Sequence, residues 1–491
     1  MEREPLIRSL AEVVGPEHVI SDPDELRVYE VDGLTMYRAV PDLVVLPKGT
    51  PQVAAVVRIC AREGIPFVPR GAGTGLSGGA LPLKGGVVIG LSRMDRILEV
   101  DYVNQRAVVE PGLVNLWLSN AVGPQGYCYA PDPSSQGACS LGGNVAENAG
   151  GPHCLKYGVT TNHVLGLEVV LPSGEVVELG GWSVDPPGYD LAGVFVGSEG
   201  TFGIVTRIVV RLLKRPEAVK TMLLVFETIE DASATVSGII GRGIVPAAIE
   251  MMDRLSIEAV EKGMQAGYPR DAGAVLLVEL DGPRAEVEAL VGSVIEVGRD
   301  MRLREVRIAR DEAERTRLWK GRKGAFAAMG QISPAYYVQD GVIPRTQLLR
   351  ILGEIEALSR RHGLRVANVF HAGDGNLHPL ILYDNRVEGE AEKAEQLGAE
   401  IMKRCIAAGG SITGEHGVGF EKRDFMPLMY TPADLEAMLR LKRVWNPDGL
   451  CNPGKIFPVA KSCVEVGRAG RVQPSGSAPH RIEREGLGER Y

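Results

Sequence analysis

The chain has 491 residues, of which 45% are hydrophobic and 24% are charged, the balance of a globular protein with two or three domains. Its net charge of −8 argues against a nucleic-acid surface, whereas a small anionic substrate would need only a local basic pocket. No apolar run approaches the roughly 18 residues of a membrane span, and the acidic residues near Met1 are not those of a signal peptide.

The cysteines limit the redox chemistry that this chain can carry by itself. Seven cysteines form no Cys-x-x-Cys pair; they are Cys60, Cys128, Cys139, Cys154, Cys405, Cys451 and Cys463. An odd, scattered set in a long chain predicts reduced thiols and a cytoplasmic location. It also excludes an iron–sulfur cluster held by the usual Cys-x2-Cys runs within the chain.

Residues 1–215 alternate short β-like runs with glycine-rich loops. Hydrophobic runs predict strands at 43–46, 86–90, 107–110, 166–171 and 203–211, and an apolar stripe predicts a helix at 50–64. Glycines crowd residues 71–86, 137–158 and 197–203. Because glycine lets the backbone approach a ligand closely, we predict an α+β domain with a binding role.

The pattern changes in residues 216–420, where longer helices alternate with strands. Strands are predicted at 222–226, 274–280 and 336–338, and helices at 230–242, 284–299, 345–362 and 390–408; a further helix is predicted beyond this region, at 432–444. This predicts a second domain with an antiparallel sheet and helices on one face. Residues 421–460 are predicted to be a helical segment that returns to the first domain, and residues 461–491 a mobile or contact tail.

The first glycine cluster contains a dinucleotide-like motif that fails a structural test. Residues 69–78 follow the strand-like run 65–68 and contain Gly-x-Gly-x-x-Gly at 73, 75 and 78. A Rossmann unit requires a helix next, but Gly79, Pro82, Gly85 and Gly86 forbid one before the strand that starts at Val87. The NAD interpretation is therefore rejected, and a loop of backbone N–H groups that can cradle phosphate remains.

Two histidines flank a turn in the segment His371-Ala-Gly-Asp-Gly-Asn-Leu-His378. If residues 373–376 form the loop, His371 faces His378 across a hairpin, with Cβ atoms roughly 4.5–5.5 Å apart. Two imidazoles on one face can converge on a single metal ion. The alternative is a hairpin that carries two incidental histidines.

Two further glycine-containing blocks extend the pattern of the 69–78 loop. They are Pro131–Gly151 and Gly197–Val205. In this order the three blocks resemble the FAD-binding domain of the vanillyl-alcohol-oxidase (PCMH-type) family. The resemblance implies an α+β fold, with two α/β subdomains that hold the flavin between them and a cap domain over the substrate.

The resemblance implies which residues contact FAD. The 69–78 loop would hold the pyrophosphate, residues 132–151 would follow the flavin and ribityl chain, and residues 199–205 would meet the adenosine. The implied contacts are Pro69, Arg70, Gly71, Ala72, Gly73, Thr74, Gly75, Ser77, Gly78, Asp132, Pro133, Ser134, Gly137, Ser140, Gly142, Gly143, Asn144, Asn148, Gly150, Gly151, Glu199, Gly200, Gly203, Ile204, Val205 and Asn452. The 69–78 loop has no His or Cys, so we expect non-covalent FAD, although His153 and Cys154 leave a covalent tether open.

The histidine hairpin, residues 411–419 and Asn452-Pro-Gly-Lys are similar to the D-2-hydroxyacid dehydrogenase branch of this family. By that resemblance His371, His378 and Glu415 are ligands of one divalent metal (Zn, Mn or Fe), and His416 is the general base. Without the hairpin, Glu415-His416 would be read as an exposed turn. Arg322 and Lys323 are the candidates for the substrate carboxylate, against the alternative of a solvated helix face.

Within that branch the chain is most similar to the flavoprotein subunits of glycolate oxidases. Members that act on 2-hydroxyglutarate carry a Lys where this chain has Gln339, which favours a short monocarboxylate, glycolate or D-lactate. The resemblance implies an iron–sulfur subunit and a second flavoprotein-like subunit as partners, electron delivery toward a quinone, and membrane contact only through those partners. The alternatives are a stand-alone D-lactate dehydrogenase, a zinc hydrolase and a flavin-bearing subunit without catalysis.

Overall fold

A computed structural model describes residues 3–183, 187–458 and 473–474. The helices are α1 Arg3–Val14, α2 Pro23–Leu26, α3 Thr50–Glu63, α4 Asn115–Val122, α5 Leu141–Glu147, α6 Cys154–Tyr157, α7 Leu191–Phe195, α8 Ile229–Gly241, α9 Arg254–Gly263, α10 Arg284–Asp300, α11 Glu312–Lys323, α12 Ala325–Ala328, α13 Leu348–His362, α14 Glu390–Ala407, α15 Met426–Met429 and α16 Pro432–Trp445. The strands are β1 Val19–Ile20, β2 Tyr37–Arg38, β3 Leu43–Val45, β4 Phe67–Arg70, β5 Val87–Gly90, β6 Ile97–Asp101, β7 Arg106–Val109, β8 Tyr127–Cys128, β9 Val164–Val170, β10 Val176–Gly180, β11 Ile204–Arg211, β12 Leu213–Lys214, β13 Ala218–Phe226, β14 Ala248–Asp253, β15 Ala274–Gly282, β16 Glu305–Ile308, β17 Ala335–Val338, β18 Gly341–Val342, β19 Arg365–His371, β20 Asn376–Leu377, β21 Pro379–Tyr383 and β22 Gln473–Pro474.

The first sheet has the strand order β1-β3-β5-β4, and β3, β5 and β4 run parallel. Residues 43–45 and 87–89 are buried throughout, as expected of parallel strands that are covered on both faces. Helices α1 and α3 pack on this sheet through Leu10, Val53 and Val57. The predicted strands and the predicted helix in this part of the chain are confirmed.

The second sheet is antiparallel, in the order β10-β9-β11-β7-β6. Its core includes side chains of β9 and β11 together with Leu118 of α4, Val145 of α5 and Phe195 of α7. The second glycine block therefore forms the short helix α5, packed against the sheet. The two sheets together make the region of residues 3–214, called the N-terminal region below.

The third sheet contains nine strands. The first of them along the chain is β13, which pairs with β15 on one side and with β16 on the other. Along β13, Leu224 and Phe226 point to one core and Leu223 and Val225 to another, because successive side chains alternate between faces. Helices α8, α10, α13 and α14 cover the first face, and α9, α11 and α12 cover the second. The predicted antiparallel sheet is confirmed, but the helices occupy both faces and not the one face expected. Both faces of the central strands are apolar, so both must be covered.

The C-terminal segment returns to the first sheet. Phe67 forms a parallel bridge with Cys451, and Asn452 N donates to Phe67 O at 2.8 Å. The predicted tail, residues 461–491, lies outside the described residues except for β22, which pairs with β2. Within the described part of the chain, no helix combines the length and the apolar character needed to cross a membrane.

Candidate active site

A groove of about 420 Å³ runs between the N-terminal region and the third sheet. Most of the residues predicted to contact FAD line it: Pro69, Arg70, Gly71, Ala72, Gly73, Thr74, Gly75, Pro133, Ser134, Ser140, Gly142, Gly143, Asn144, Glu199, Gly200, Gly203, Ile204, Val205 and Asn452. The same groove is also lined by Arg322, Lys323, His371, His378, Glu415 and His416, which are called its charged end below. The two sets of predicted residues therefore share one cavity, although they are far apart in the sequence.

The N-terminal wall of the groove is made of closely packed backbone. No helix follows β4, and the chain runs as turns and bends from Gly71 until β5 begins at Val87. A Cβ at Gly71 would collide with Ser140 Oγ, and one at Gly200 would lie 2.7 Å from Pro69 Cγ. A Cβ at Gly75, by contrast, would meet no protein atom within 4 Å. Such a wall leaves room for a large planar cofactor with a phosphate chain, and it fits FAD.

Some residues of the FAD prediction lie outside the groove lining and make contacts within the protein. Asn148 Oδ1 accepts from Thr161 N at 2.9 Å, and the Ser77 carbonyl accepts from Phe420 N at 2.9 Å. Asp132 binds His153, and a Cβ at Gly151 would collide with the Asp132 backbone. The full set outside the lining is Ser77, Gly78, Asp132, Gly137, Asn148, Gly150 and Gly151.

Several groove residues were missed by the sequence analysis. Phe326 and Tyr336 lie near the histidines, and the Phe326 ring meets the His378 ring edge-on with centroids 5.8 Å apart. The other missed lining residues are Leu76, Gly79, Ala80, Leu91, Pro111, Ser135, Cys139, Ala146, Glu147, Ala149, Phe195 and Ala327. Most are small or apolar residues that no charge or spacing marks in the sequence, and Glu147 is the charged exception.

The histidine hairpin forms, but its predicted register is wrong by two residues. His371 pairs with Asn376, so the turn comprises residues 372–375 and not 373–376. His378 is therefore a diagonal neighbour of His371. An even shift keeps both side chains on the same face, because strand side chains alternate with a period of two. The two rings lie 5.1 Å apart at their centroids, as a shared site requires.

Three predicted metal ligands converge at one point. His371 Nε2 lies 3.1 Å from Glu415 Oε1, and His378 Nε2 lies 3.2 Å from the same oxygen. The three potential ligand atoms all lie within 4.8 Å of one another. The approach of His378 Nε2 to Glu415 Oε1 lacks the geometry of a hydrogen bond, so this buried nitrogen has no hydrogen-bond partner in the described residues, as expected of a ligand nitrogen aimed at an ion.

The remaining ring nitrogens are held by other groups. His371 Nδ1 lies 2.8 Å from Glu250 Oε1, and His378 Nδ1 lies 3.3 Å from the Gln339 carbonyl. Such partners fix the ring orientation and direct Nε2 toward a metal. Two imidazoles and one carboxylate suit Zn²⁺, Mn²⁺ or Fe²⁺, so the donor set fits the predicted divalent ion.

The charged groups of this cluster shift one another's pKa values. Burial disfavours charge on both His371 and Glu415, but their pairing, together with Glu250, outweighs it. The pKa of His371 is therefore raised, and the pKa of Glu415 is lowered. Glu250 is fully buried, and its pKa is lowered although burial raises it, because Arg322 and His371 lie beside it.

His416 lies next to this cluster, and its ring stacks on the His378 ring with centroids 4.9 Å apart. Burial lowers the pKa of His416 to about 4; the neighbouring His378 and Lys422 act in the same direction, and the opposing attraction of Asp340 and Glu415 is too weak to restore it. The ring is neutral near pH 7 and can accept a proton. His416 Nδ1 lies 3.9 Å from Asp340 Oδ2.

The two candidate carboxylate binders differ in their surroundings. Arg322 is 1% exposed, so the alternative of a solvated helix face fails for it. Its Nη2 lies 2.5 Å from Glu250 Oε2, and its Nε has no hydrogen-bond partner in the described structure. Lys323 Nζ donates to Asp132 at 3.0 Å and to Gln136 at 2.6 Å, which leaves it less free than Arg322.

Two family comparisons cover most of the chain. Residues 41–180 match the FAD binding domain family, and residues 215–456 match the family of FAD linked oxidases, C-terminal domain. The chain belongs to the FAD-linked oxidases. The predicted flavin family, α+β fold class and oxidoreductase class are thereby confirmed.

Curated relatives agree with this assignment over nearly their whole length. This FAD-linked oxidase is 48% identical to "Glycolate oxidase subunit GlcD" of Escherichia coli strain K12, across 95% of this chain and 94% of that protein. It is 39% identical to the protein of the same name from Bacillus subtilis, across 91% and 96% of the two chains. It is 34% identical to "D-lactate dehydrogenase" of Anaerostipes hadrus, across 90% and 95%.

Solved structures share the fold at low identity. Substrate-bound p-cresol methylhydroxylase superposes with a TM-score of 0.79 at 17% identity, covering 94% of this chain and 98% of that one. The 4-ethylphenol oxidase of Gulosibacter chungangensis superposes with a TM-score of 0.75 at 20% identity, covering 93% and 97%. These matches support the fold alone.

The candidates for a covalent tether in this FAD-linked oxidase do not line the groove. His153 Nδ1 lies 2.9 Å from Asp132 Oδ2, and its Nε2 lies 3.1 Å from Glu279 Oε1. Burial raises the pKa of the Cys154 thiol, and Glu415 adds to this effect, so the thiol stays protonated. A second, polar cavity of about 760 Å³, lined by residues including Tyr157, His163 and Arg211, contains none of the predicted site residues.

Proposed function

We propose that this FAD-linked oxidase oxidises a short 2-hydroxy acid, with glycolate as the preferred substrate, as the flavoprotein subunit of a glycolate oxidase. One observation carries the proposal: the backbone-lined end of the groove opens directly onto the His371, His378 and Glu415 cluster, with His416 beside it. The names of the relatives from Escherichia coli and Bacillus subtilis support the substrate class.

The cofactor is non-covalent FAD, held by the 69–75 loop, residues 133–144 and residues 199–205 of the groove lining. Bound flavin supplies an acceptor for the hydride on the substrate Cα. The protein supplies a wall of closely packed backbone from these segments. His153 and Cys154 lie outside that wall, which supports a flavin without a covalent bond.

A divalent metal would be held by His371, His378 and Glu415, whose ring Nε2 atoms and carboxylate converge at one point. When bound, it acts as a Lewis acid that lowers the pKa of the substrate hydroxyl. Glu250 and the Gln339 carbonyl keep the two rings directed toward the ion by holding their Nδ1 atoms.

The side chains around the ion bind the substrate and move its proton. Arg322 presents a buried guanidinium to the carboxylate, and Glu250 holds that guanidinium in place. His416 accepts the hydroxyl proton as general base, since its ring is adjacent to His378 and nearly buried. With the hydroxyl proton on His416 and the Cα hydride on bound flavin, the substrate would have lost two electrons and two hydrogens, and the product would be the 2-oxo acid.

The size of the pocket supports a small substrate. Phe326 and Tyr336 line the groove beside His378, with ring centroids 6.5 Å apart. Gln339 is 1% exposed, is neutral and lies outside the groove lining, so this position offers no cation to a second carboxylate on the substrate. Glycolate and D-lactate need neither more space nor a further charge.

Partner subunits would receive the electrons. The relatives' names describe a subunit, which supports assembly into a larger enzyme. The six cysteines in the described part of the chain are free and lack cluster spacing, so we propose an iron–sulfur partner and a second flavoprotein-like partner. The subunit is cytoplasmic in this proposal, and it meets the membrane through those partners.

A stand-alone D-lactate dehydrogenase is the second candidate, favoured by the relative from Anaerostipes hadrus. Anaerobic bleaching of the flavin absorbance with glycolate, D-lactate, L-lactate and D-2-hydroxyglutarate distinguishes the two. We expect the fastest bleaching with glycolate, slower bleaching with D-lactate, and loss of both after metal chelation. Faster bleaching by D-lactate would favour the second candidate, and a protein without flavin bands would refute both.

A further inference from the structure

Asp340 is a buried carboxylate that does not itself line the groove, but its side chain contacts three residues that do, His378, Glu415 and His416. Its Oδ1 lies 3.7 Å from His378 Nδ1, which is not the ring nitrogen proposed to bind the metal. Asp340 lies between β17 and β18 and is fully buried. Its Oδ2 accepts from Thr413 Oγ1 at 2.6 Å and from Gly414 N and His416 N at 2.9 Å each. Glu415 N lies 3.3 Å from the same oxygen.

Three of these donors are consecutive backbone N–H groups of one turn, and the fourth is the Thr413 hydroxyl. Three successive N–H groups that wrap one carboxylate oxygen form an anion nest, and here the anion is an internal side chain. The turn carries Glu415 and His416, which have no regular secondary structure to fix them. Its conformation therefore depends on the Asp340 charge.

The same short segment also fixes the histidine hairpin. Gln339 N donates to Pro379 O at 3.1 Å, and the Gln339 carbonyl holds His378 Nδ1. Gly341 pairs with Leu377, and Val342 forms a bridge with Ser411 just before the turn. The segment 339–342 therefore fixes the position of His378 through backbone hydrogen bonds. It fixes the positions of Glu415 and His416 through the Asp340 carboxylate.

The other end of the turn is held by the N-terminal region. Glu199 Oε1 accepts from Val418 N at 2.7 Å, and Oε2 accepts from Gly419 N at 2.6 Å. Lys422 Nζ lies 3.4 Å from Asp340 Oδ2 and 3.2 Å from the Gly417 carbonyl, so a buried cation balances Asp340. Hydrogen bonds to two buried carboxylates, Asp340 and Glu199, therefore hold both ends of the turn.

We propose that Asp340 is a positioning residue, whose carboxylate folds the 413–416 turn so that Glu415 reaches the metal site and His416 reaches the substrate. This proposal rests on the proposed function for the role of His416 and Glu415. It assigns Asp340 no contact with the substrate or the flavin. The contribution is geometric, through charge-assisted hydrogen bonds to the turn.

The test compares Asp340→Asn, Thr413→Val and Glu261→Gln in the FAD-loaded protein. Glu261 is the matched control, because it is also buried and accepts from two backbone amides, Gly267 N and Tyr268 N at 2.8 Å each, outside the groove. The affinity for Mn²⁺ is measured by electron paramagnetic resonance after chelator treatment, and kcat and KM are measured with glycolate.

We expect Asp340→Asn to weaken Mn²⁺ binding about 10- to 100-fold and to lower kcat at least tenfold, with unchanged FAD content. The Thr413→Val change removes one donor and should weaken Mn²⁺ binding about 3- to 10-fold. Glu261→Gln should leave both quantities within twofold of the unmodified protein.

Mn²⁺ affinity and kcat of Asp340→Asn that match those of Glu261→Gln would overturn the proposal. If Asp340→Asn does not fold, the Thr413→Val variant decides, and unchanged Mn²⁺ affinity in that variant would also overturn it. Failure of the proposed function is separable, because it appears in the unmodified protein as a flavin that no 2-hydroxy acid reduces. The Mn²⁺ comparison is valid in that case as well.

Discussion

The two ends of the groove are built in different ways. The N-terminal wall consists of backbone and small residues from contiguous segments, such as 69–75, in which glycines permit close packing. The other end consists of single charged side chains from β19, the hairpin, α11 and the 413–416 turn. Buried carboxylates such as Glu250 and Asp340 hold those side chains in place.

This difference determines which kind of substitution disrupts each end of the groove. A backbone wall is sensitive to added volume, because a new Cβ has no space, but it is insensitive to the loss of a single charge. A cluster of buried charges is sensitive to the loss of one partner, since the partner left behind is then uncompensated. Substitutions at one end should therefore affect cofactor content, and those at the other end should affect the metal and the rate.

The largest effect is expected from His416→Ala. Removal of a general base typically slows the step by about 10²- to 10⁴-fold, so the rate of flavin reduction by glycolate should fall by that range. FAD content should not change, because the ring of His416 packs against His378 at the charged end of the groove. Stopped-flow absorbance under anaerobic conditions measures both quantities.

The control for this prediction is His362→Gln. His362 lies at the end of α13 and pairs with Glu400 at 3.0 Å, outside the groove. Its substitution should leave the reduction rate unchanged. A His416→Ala protein that is reduced as fast as His362→Gln would remove His416 from the base role.

The second prediction tests the backbone wall through Gly71→Ala. The added methyl group meets Ser140 Oγ, which caps α5 by accepting from Gly143 N at 3.3 Å. Overpacking of this kind costs about 1–3 kcal/mol, so FAD affinity should fall about 5- to 150-fold. Fluorescence titration of the apoprotein with FAD gives the affinity.

Gly292→Ala is the matched control, because Gly292 lies inside α10 and a Cβ there meets nothing within 4 Å. Alanine is the better helix former by about 1 kcal/mol, so FAD affinity should be retained and stability should not fall. Equal FAD affinity of the Gly71→Ala and Gly292→Ala proteins would contradict the close-packed wall.

The difference between the backbone wall and the charged cluster also explains which groove residues could be predicted from the sequence. The flavin wall is predictable because its residues are contiguous and because Gly79, Pro82 and Gly86 forbid the Rossmann helix. Most predicted groove residues on this wall do line it. Ser77, Asp132 and Asn148 do not, because a motif marks a segment and does not say which of its side chains point away from the ligand.

At the charged end, the candidate catalytic and metal-binding side chains could be predicted from the sequence. The buried residues that hold them in place could not. The hairpin register was wrong by two residues, yet the prediction of a shared face survived, because only an odd shift reverses it. Glu250 lies more than a hundred residues before His371, and no spacing connects them. Its strand, β14, was not predicted, and a lone glutamate in a hydrophobic run gives no signal of an ion pair.

The third prediction concerns Glu250→Gln, which keeps the shape of the side chain and removes its charge. His371 loses the partner that directs its Nε2, and Arg322 loses its ion pair at 2.5 Å. Outer partners of metal-binding histidines typically change metal affinity 10- to 100-fold, and we expect a loss in this range. Zn²⁺ competition with a chromogenic chelator measures it, and unchanged affinity would show that Glu250 does not orient the ligand.

The smallest effect on activity is expected where the two regions meet, at His153 with Asp132 and Glu279. Burial lowers the pKa of His153, but the charge of Asp132 and the hydrogen bonds that the ring donates to Asp132 and Glu279 outweigh it and raise the pKa to about 10. The ordinary value is 6.5, so the folded protein holds this proton more tightly than the unfolded chain does. The stabilisation is therefore complete below about pH 6.5 and is lost as the pH rises toward about 10.

His153→Gln removes this titration, and the two proteins should differ most in stability below pH 6.5 and converge toward pH 10. Urea unfolding at several pH values measures the difference, with a slope of at most about 1.4 kcal/mol per pH unit, and other titrating groups cancel in the comparison. Flavin reduction by glycolate should keep its rate, because His153 does not line the groove. A parallel pair of stability curves would mean that His153 is not charged in the folded protein. A slower flavin reduction would instead mean that the contact between the two regions controls the geometry of the charged end. That result would contradict the view that the backbone wall and the charged cluster act separately.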